Sequence, residues 1–143
     1  MKPKSYRRKA SRQPKSSPIQ PIAPDPLAAQ VVQQVLAELP ELLAVAVVDV
    51  ESGVSLAAHA TAAIEPSTAA AFNAEVVKLK QKAMTALQLT GEHLDDILIT
   101  LSNQLHLLQL TPDGSRFIYL AVATQSTNLG IARTVLREQV GQL

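Results

Sequence analysis

The sequence predicts an α+β domain, a five-stranded antiparallel sheet with helices on both faces. Residues 42–140 hold, in order, a strand hairpin, a long amphipathic helix, three more strands and a last helix, and another helix precedes them. The first strand is apolar on both of its alternating faces, so both sides of the sheet must be covered. Short turns built on Gly, Ser, Asp and Pro separate strands within each hairpin, and so short a connection joins antiparallel partners.

Composition bounds what this fold can do. With 143 residues the chain has room for one domain of ordinary size once its first two dozen residues are set aside. Apolar residues make up 47 % and aromatics only 3 %, so the interior is filled with Ala, Val and Leu. Each large aliphatic side chain removed from water contributes roughly 1.5–3 kcal/mol. The lack of Cys excludes a disulfide framework, a thiolate metal site and a cysteine nucleophile. The longest apolar runs, such as 42–48, are far shorter than the ~20 residues of a membrane-crossing helix. Pro14, Pro18, Pro21 and Pro24 interrupt the place where an apolar signal segment would sit. A cytosolic protein is expected.

The formal net charge of +1 conceals an asymmetry. Lys2, Lys4, Arg7, Arg8, Lys9, Arg12 and Lys15 all precede the first acid, Asp25, and six bases face twelve acids in the remainder. Residues 1–24 also hold five of the nine prolines and few large apolar residues, so they read as a disordered basic tail ahead of a domain over 25–143. Clustered Lys and Arg gain affinity for phosphate polyanions by releasing counterions, which makes nucleic acid or an anionic surface a candidate partner of the tail. The plainer alternative is a solvated tether. Tyr6 is the tail's only aromatic residue, so it offers no platform for stacking bases.

Within the domain, Asp25 and Pro26 form an N-cap and first-turn pair. Val31, Val32, Val35 and Leu36 then share one helical face until Pro40 stops the helix. Residues 43–50 and 54–58 read as the hairpin, with Glu51, Ser52 and Gly53 in its turn. Ser67 or Thr68 is placed to cap a helix running to about residue 89, with Gly91 finishing it. On that helix Phe72, Val76, Leu79, Ala83, Ala86 and Leu87 are assigned to the face toward the sheet. A second stripe of Ala70, Val77 and Met84, flanked by Gln81 and Gln88, reads as a contact with another protein, the plainer alternative being scattered surface apolar residues. Residues 94–101, 105–110 and 116–124 are the remaining strands, the last two joined through a type I turn with a bulge at Gly114. Little marks 94–101 as a wet edge; as an edge it would need covering, most simply by a second copy of itself. Thr127 or Asn128 caps a final helix that buries Leu129, Ala132, Leu136 and Val140, with Arg133 and Arg137 bordering that face.

Chemistry is sparse. The chain carries no phosphate-cradling Gly-rich loop with Lys and Ser or Thr, no dinucleotide fingerprint and no His pair at metal spacing. His59, His93 and His106 are dispersed and read as ordinary histidines. Asp95 and Asp96 are adjacent in a strand, point to opposite faces and cannot share a proton. Ser and His lack a nucleophile-elbow signature. Arg116, Arg133 and Arg137 could in principle stabilise charge in a partner's active site, although surface roles suffice for them. No catalytic residue, cofactor or metal is assigned, and an enzyme is not expected.

Four segments together carry a family resemblance: AVAVVDVESGVSL at 44–56, LQLTG at 87–91, DILIT at 96–100 and IYLAVATQSTNLGIARTVL at 118–136. With the element order, they make residues 26–140 resemble the roadblock family of dynein light chains and its bacterial relatives. The connection over 59–66 departs from that pattern. The resemblance implies a profilin-like three-layer sandwich, with one helix on one face of the sheet and two on the other. It also implies a homodimer formed through the long helix and the neighbouring edge strand, which would place Val77, Gln81, Met84, Gln88, Ile97, Ile99 and Leu101 at the seam. Relatives look like regulators of small Ras-like GTPases, so such a GTPase is the implied partner.

Overall fold

The computed structural model describes residues 25–61 and 63–143. The basic tail expected at 1–24, with its seven Lys and Arg residues, lies outside the described residues.

The elements run α1 (Pro26–Glu38), β1 (Ala44–Asp49), β2 (Ser55–Ala60), α2 (Pro66–Ala86), β3 (Asp96–Thr100), β4 (Gln104–Leu110), β5 (Arg116–Ala123) and α3 (Leu129–Val140). The strands form one sheet in the order β2-β1-β5-β4-β3, antiparallel at every junction. The α+β architecture expected from the sequence is present, and β3 is one of its two edges.

Alternation along the central strands builds two core layers. Val45 and Val47 of β1, Leu107 of β4 and Ile118 and Leu120 of β5 face α1 and α3. Ala44, Ala46, Val48, Leu108, Phe117 and Tyr119 face α2. A strand such as β1, buried on both sides, needs two covering layers, and the three helices divide themselves accordingly.

Local chemistry sets the helix ends. Asp25 Oδ1 accepts the Ala28 amide at 3.0 Å with Pro26 beginning the first turn, and Asn128 Oδ1 accepts the Ile131 amide at 3.1 Å. Two boundaries differ from the sequence expectation. β2 extends to Ala60, two residues past the expected end, because its pairing with β1 continues to Ala44. The cap of α2 is Glu65, with Ser67 and Thr68 acting as its donors rather than as caps.

The C-terminus of α2 also comes early. The helix ends at Ala86 and is closed by Gln88 at φ 57°; Gly91 is left-handed as expected, at φ 88°, but lies beyond the helix end. The Leu89 amide donates to Met84 O at 3.0 Å and the Gln88 amide to Thr85 O at 3.0 Å, the paired bonds of a Schellman ending. A side chain bearing Cβ costs roughly 1–2 kcal/mol in that conformation, a penalty Gly escapes. Gln88→Gly is therefore expected to stabilise the protein by about 1 kcal/mol, seen as a higher urea midpoint at unchanged slope.

Candidate functional site: the outer face of α2 and the free edge of β3

The orientation of α2 decides which of its side chains are available. Ala70, Ala74 and Val77 point down and are fully buried. The sheet beneath already carries Phe117, Tyr119 and Leu108, so the helix can approach only with small residues. Two turns hold it in place. At the β1–β2 turn Gly53, at φ +71°, lies so close that an added Cβ would sit 3.5 Å from Ala71 Cα, and Lys78 Nζ donates to Glu51 O at 3.3 Å. At the β4–β5 turn Gln81 Nε2 donates to Gly114 O at 3.2 Å.

This arrangement reverses the two stripes read from the sequence. Val77, assigned to an outer contact, is 0 % exposed and belongs to the core, while Phe72 is 71 % exposed, Val76 39 % and Leu79 69 %. Size explains the reversal: the sheet supplies the bulk with Phe117, Tyr119 and Leu108, and the helix meets it with Ala70, Ala74 and Val77. Gln81 is engaged by Gly114 O. Met84 and Gln88 line an open cleft of about 320 Å³ with Leu89, Leu94 and Pro112.

Phe72, Val76, Leu79, Ala83 and Ala86 follow one another at intervals of four, three, four and three. That heptad spacing is the pattern of a helix that packs on another helix. The spacing marks a helix-packing face in the sequence, but only the space above the sheet decides which stripe turns outward.

The N-terminus of α2 is anchored by the Glu65 carboxylate. It accepts the Ser67 and Thr68 hydroxyls at 2.6 and 2.7 Å and their amides at 3.2 and 2.7 Å. The Ser67 hydroxyl, then the Thr68 hydroxyl and the two amides, bring the Glu65 pKa down to about 2. Because the folded value is depressed, the contribution of this cap is complete above the ordinary value near 4.5 and disappears as pH falls toward about 2. Urea midpoints taken across that window should fall with pH less in Glu65→Gln than in the wild-type protein.

Among the described residues β3 pairs with β4 alone, so its other side presents amides and carbonyls without a strand partner there. Ile97 packs against the core on the α2 side, Ile99 is half-buried, and Leu101, just beyond the strand, is exposed. The structure thus brings Ile97, Ile99 and Leu101 to one edge.

That edge is pinned from the opposite face of the sheet. Arg133 Nη2 lies 3.3 Å from Asp96 Oδ1, and Arg137 Nη2 lies 3.3 Å from Asp95 Oδ2 and 3.8 Å from Asp96 Oδ2. Asp95 and Asp96, expected as strand-entry polarity on opposite faces, both meet Arg137 because Asp95 precedes β3 and is free of the strand's alternation; with Arg133 and Arg137, expected as surface residues, they form a clamp from α3 to β3. Their four-residue spacing on α3 was the available signal. Arg116 pairs with the capping Asp25 at 3.3 Å.

His106 lies inside β4 on the α2 side of the sheet. Its Nε2 is 2.9 Å from Gln104 Oε1, its Nδ1 is 3.4 Å from the Tyr119 hydroxyl, and its ring meets Tyr119 edge to face at 5.5 Å. Burial pushes the imidazole below the usual histidine range and the Tyr119 phenol above its own. His59 and His93 are exposed. Among the described residues no group of three or more His, Cys, Asp or Glu is placed to hold a metal, and no helix is long and apolar enough to cross a membrane.

No protein-family profile matches the chain, and no curated protein matches it in sequence. Solved structures do match it. A roadblock/LC7 domain from Streptomyces avermitilis superposes with a TM-score of 0.63 at 14 % identity, covering 82 % of this chain and 91 % of that one. The chain has the roadblock/LC7 fold. The gliding protein MglB from Thermus thermophilus has a TM-score of 0.66 at 18 % identity, covering 85 % of this chain and 88 % of its own. An MglB structure with a tetrameric arrangement also has a TM-score of 0.66 at 18 % identity, covering 82 % and 85 %. On the roadblock fold of this chain, then, the outer α2 stripe and the β3 edge are open surface on one and the same face.

Proposed function

We propose that the protein is a homodimeric interaction module that regulates or scaffolds a small Ras-like GTPase and performs no chemistry of its own. The observation that carries this reading is the exposed heptad stripe of Phe72, Val76 and Leu79 on the sheet face that α2 shares with the free β3 edge. Exposed residues of this size in a line mark an interaction site.

A second copy suits this stripe. Its residues are large at the N-terminal end and small at the C-terminal end, so two copies running antiparallel set Phe72 against Ala86, Val76 against Ala83 and Leu79 against its mate. Parallel copies would set Phe72 against Phe72 and leave a gap between the alanines. The antiparallel pair has the two-fold symmetry of an isologous dimer, and the free β3 edges can pair in the same assembly. The tetrameric arrangement of the similar MglB is in line with self-association of this fold.

The GTPase partner rests on the family resemblance of residues 26–140. A module without catalytic groups can act on a GTPase by holding its switch loops in a competent arrangement. Mixing the full chain with small GTPases from the same cell should change the rate of GTP hydrolysis or yield a co-eluting complex. The absence of both effects with every one of them would refute the reading.

The concentration of seven bases in residues 1–24 favours one alternative, a tether that binds nucleic acid or an anionic surface while the domain dimerises. Deleting 1–24 separates the two: salt-sensitive polyanion binding disappears if the tail is the binder, whereas GTPase recognition survives.

A further inference from the structure

His106 is the one histidine within a strand on the sheet face where α2 and β3 lie; His93, exposed, lines the cleft at the C-terminal end of α2 with Met84, Gln88 and Glu92. The contacts of Ala71 with Gly53 and of Lys78 with Glu51 turn one flank of α2 toward the β1–β2 turn. The opposite flank, with Val76, Lys80 and Ala83, therefore overlooks the β4–β3 side of the same face. There His106 stands directly across from Ile99 of the edge strand, and both are half-buried. A partner helix docked on the α2 stripe would close over this pair.

The surroundings of His106 suit a neutral ring. Nε2 can donate to Gln104 Oε1 while Nδ1 accepts the Tyr119 hydroxyl, which satisfies all three groups. A proton on Nδ1 would confront that hydroxyl with a second donor and force it to turn its own proton away. Among the described residues no acid pairs with the ring. β5 presents Tyr119 and β3 presents Ile97 and Ile99, while helical spacing puts an exposed cation, Lys80, on the α2 flank away from Ala71 and Lys78. Glu75 lies on the other flank, paired with Lys78 at 2.8 Å, and Asp95 and Asp96 are held by arginines from the far side of the sheet.

We infer that the dimer is acid-labile, with uptake of a proton by His106 in each copy driving the two copies apart. The inference rests on the dimer proposed above and adds its regulation. Closing the seam removes more water from the ring, so two separate protomers bind protons more readily than the dimer does. Linkage then requires dissociation to strengthen as pH falls. Each unit by which association lowers the titration of His106 weakens the dimer tenfold per chain at low pH.

Analytical ultracentrifugation of the full chain at about pH 7.5 and about pH 5.5, the range in which histidine changes charge, tests this. The dissociation constant of the wild-type protein should rise about tenfold or more, and that of His106→Gln should stay nearly constant. A wild-type dimer indifferent to pH, or a variant as pH-sensitive as the wild type, would overturn the inference and leave the dimer standing. A monomer at both values would instead refute the dimer itself. Should His106→Gln fail to fold, NMR titration of the His106 ring decides: it must titrate lower in the wild-type dimer than in the Leu79→Asp protein, and equal values overturn the inference.

Discussion

Leu79→Asp is expected to convert the dimer into a monomer that keeps its fold. In the single protomer the side chain is 69 % exposed, so a carboxylate there stays hydrated and removes no core contact. In an antiparallel pair the two introduced charges would meet close to the symmetry axis, in a contact closed to water. Like charges so placed cost several kcal/mol, enough to weaken association by a factor on the order of a thousand. Light scattering should report the protomer mass, while circular dichroism and the urea midpoint of the monomer remain close to native. A variant still dimeric at micromolar concentration would remove Leu79 from the seam.

Val77→Asp is expected to do the opposite, although the two residues are neighbours but one on the same helix. Val77 is fully buried in the core layer that includes Ala46, Val48 and Phe117. An acid there must be buried charged or protonated at a cost, and it also removes packing. The loss of about 4 kcal/mol or more is a large share of the roughly 5–15 kcal/mol that holds a domain together. The variant should be largely unfolded or show a collapsed urea midpoint at neutral pH. A well-folded but monomeric Val77→Asp, beside a Leu79→Asp that still dimerises, would mean that the helix is turned the other way round.

This pair of residues also marks how far the candidate site was legible. The sequence locates α2 and the amphipathic pattern that makes it a helix, but two apolar stripes on one helix compete for one sheet. Periodicity cannot rank them, because the winner depends on the space left above β1, β4 and β5. The edge position of β3 was similarly hidden. Its apolar residues on both sides match a central strand, and only the pairing order shows that one side is free. The ends of α2 were missed for a different reason: Glu at an N-cap and Gln in the left-handed conformation are unfavourable choices by propensity alone. Here Glu65 gains four donors from Ser67 and Thr68, and Gln88 is held by the two closing bonds of the helix.

Order and kind of elements, the antiparallel hairpins and the need for helices on both faces follow from local pattern and turn chemistry, which act over a few residues and are written in the chain. Which face of α2 is greasy toward water, which strand lacks a neighbour, and which arginines reach Asp95 and Asp96 follow from packing between segments distant in sequence. Steric fit across the sheet settles those questions, since a layer of Phe117, Tyr119 and Leu108 admits only alanine and valine from above and leaves Phe72, Val76 and Leu79 outside.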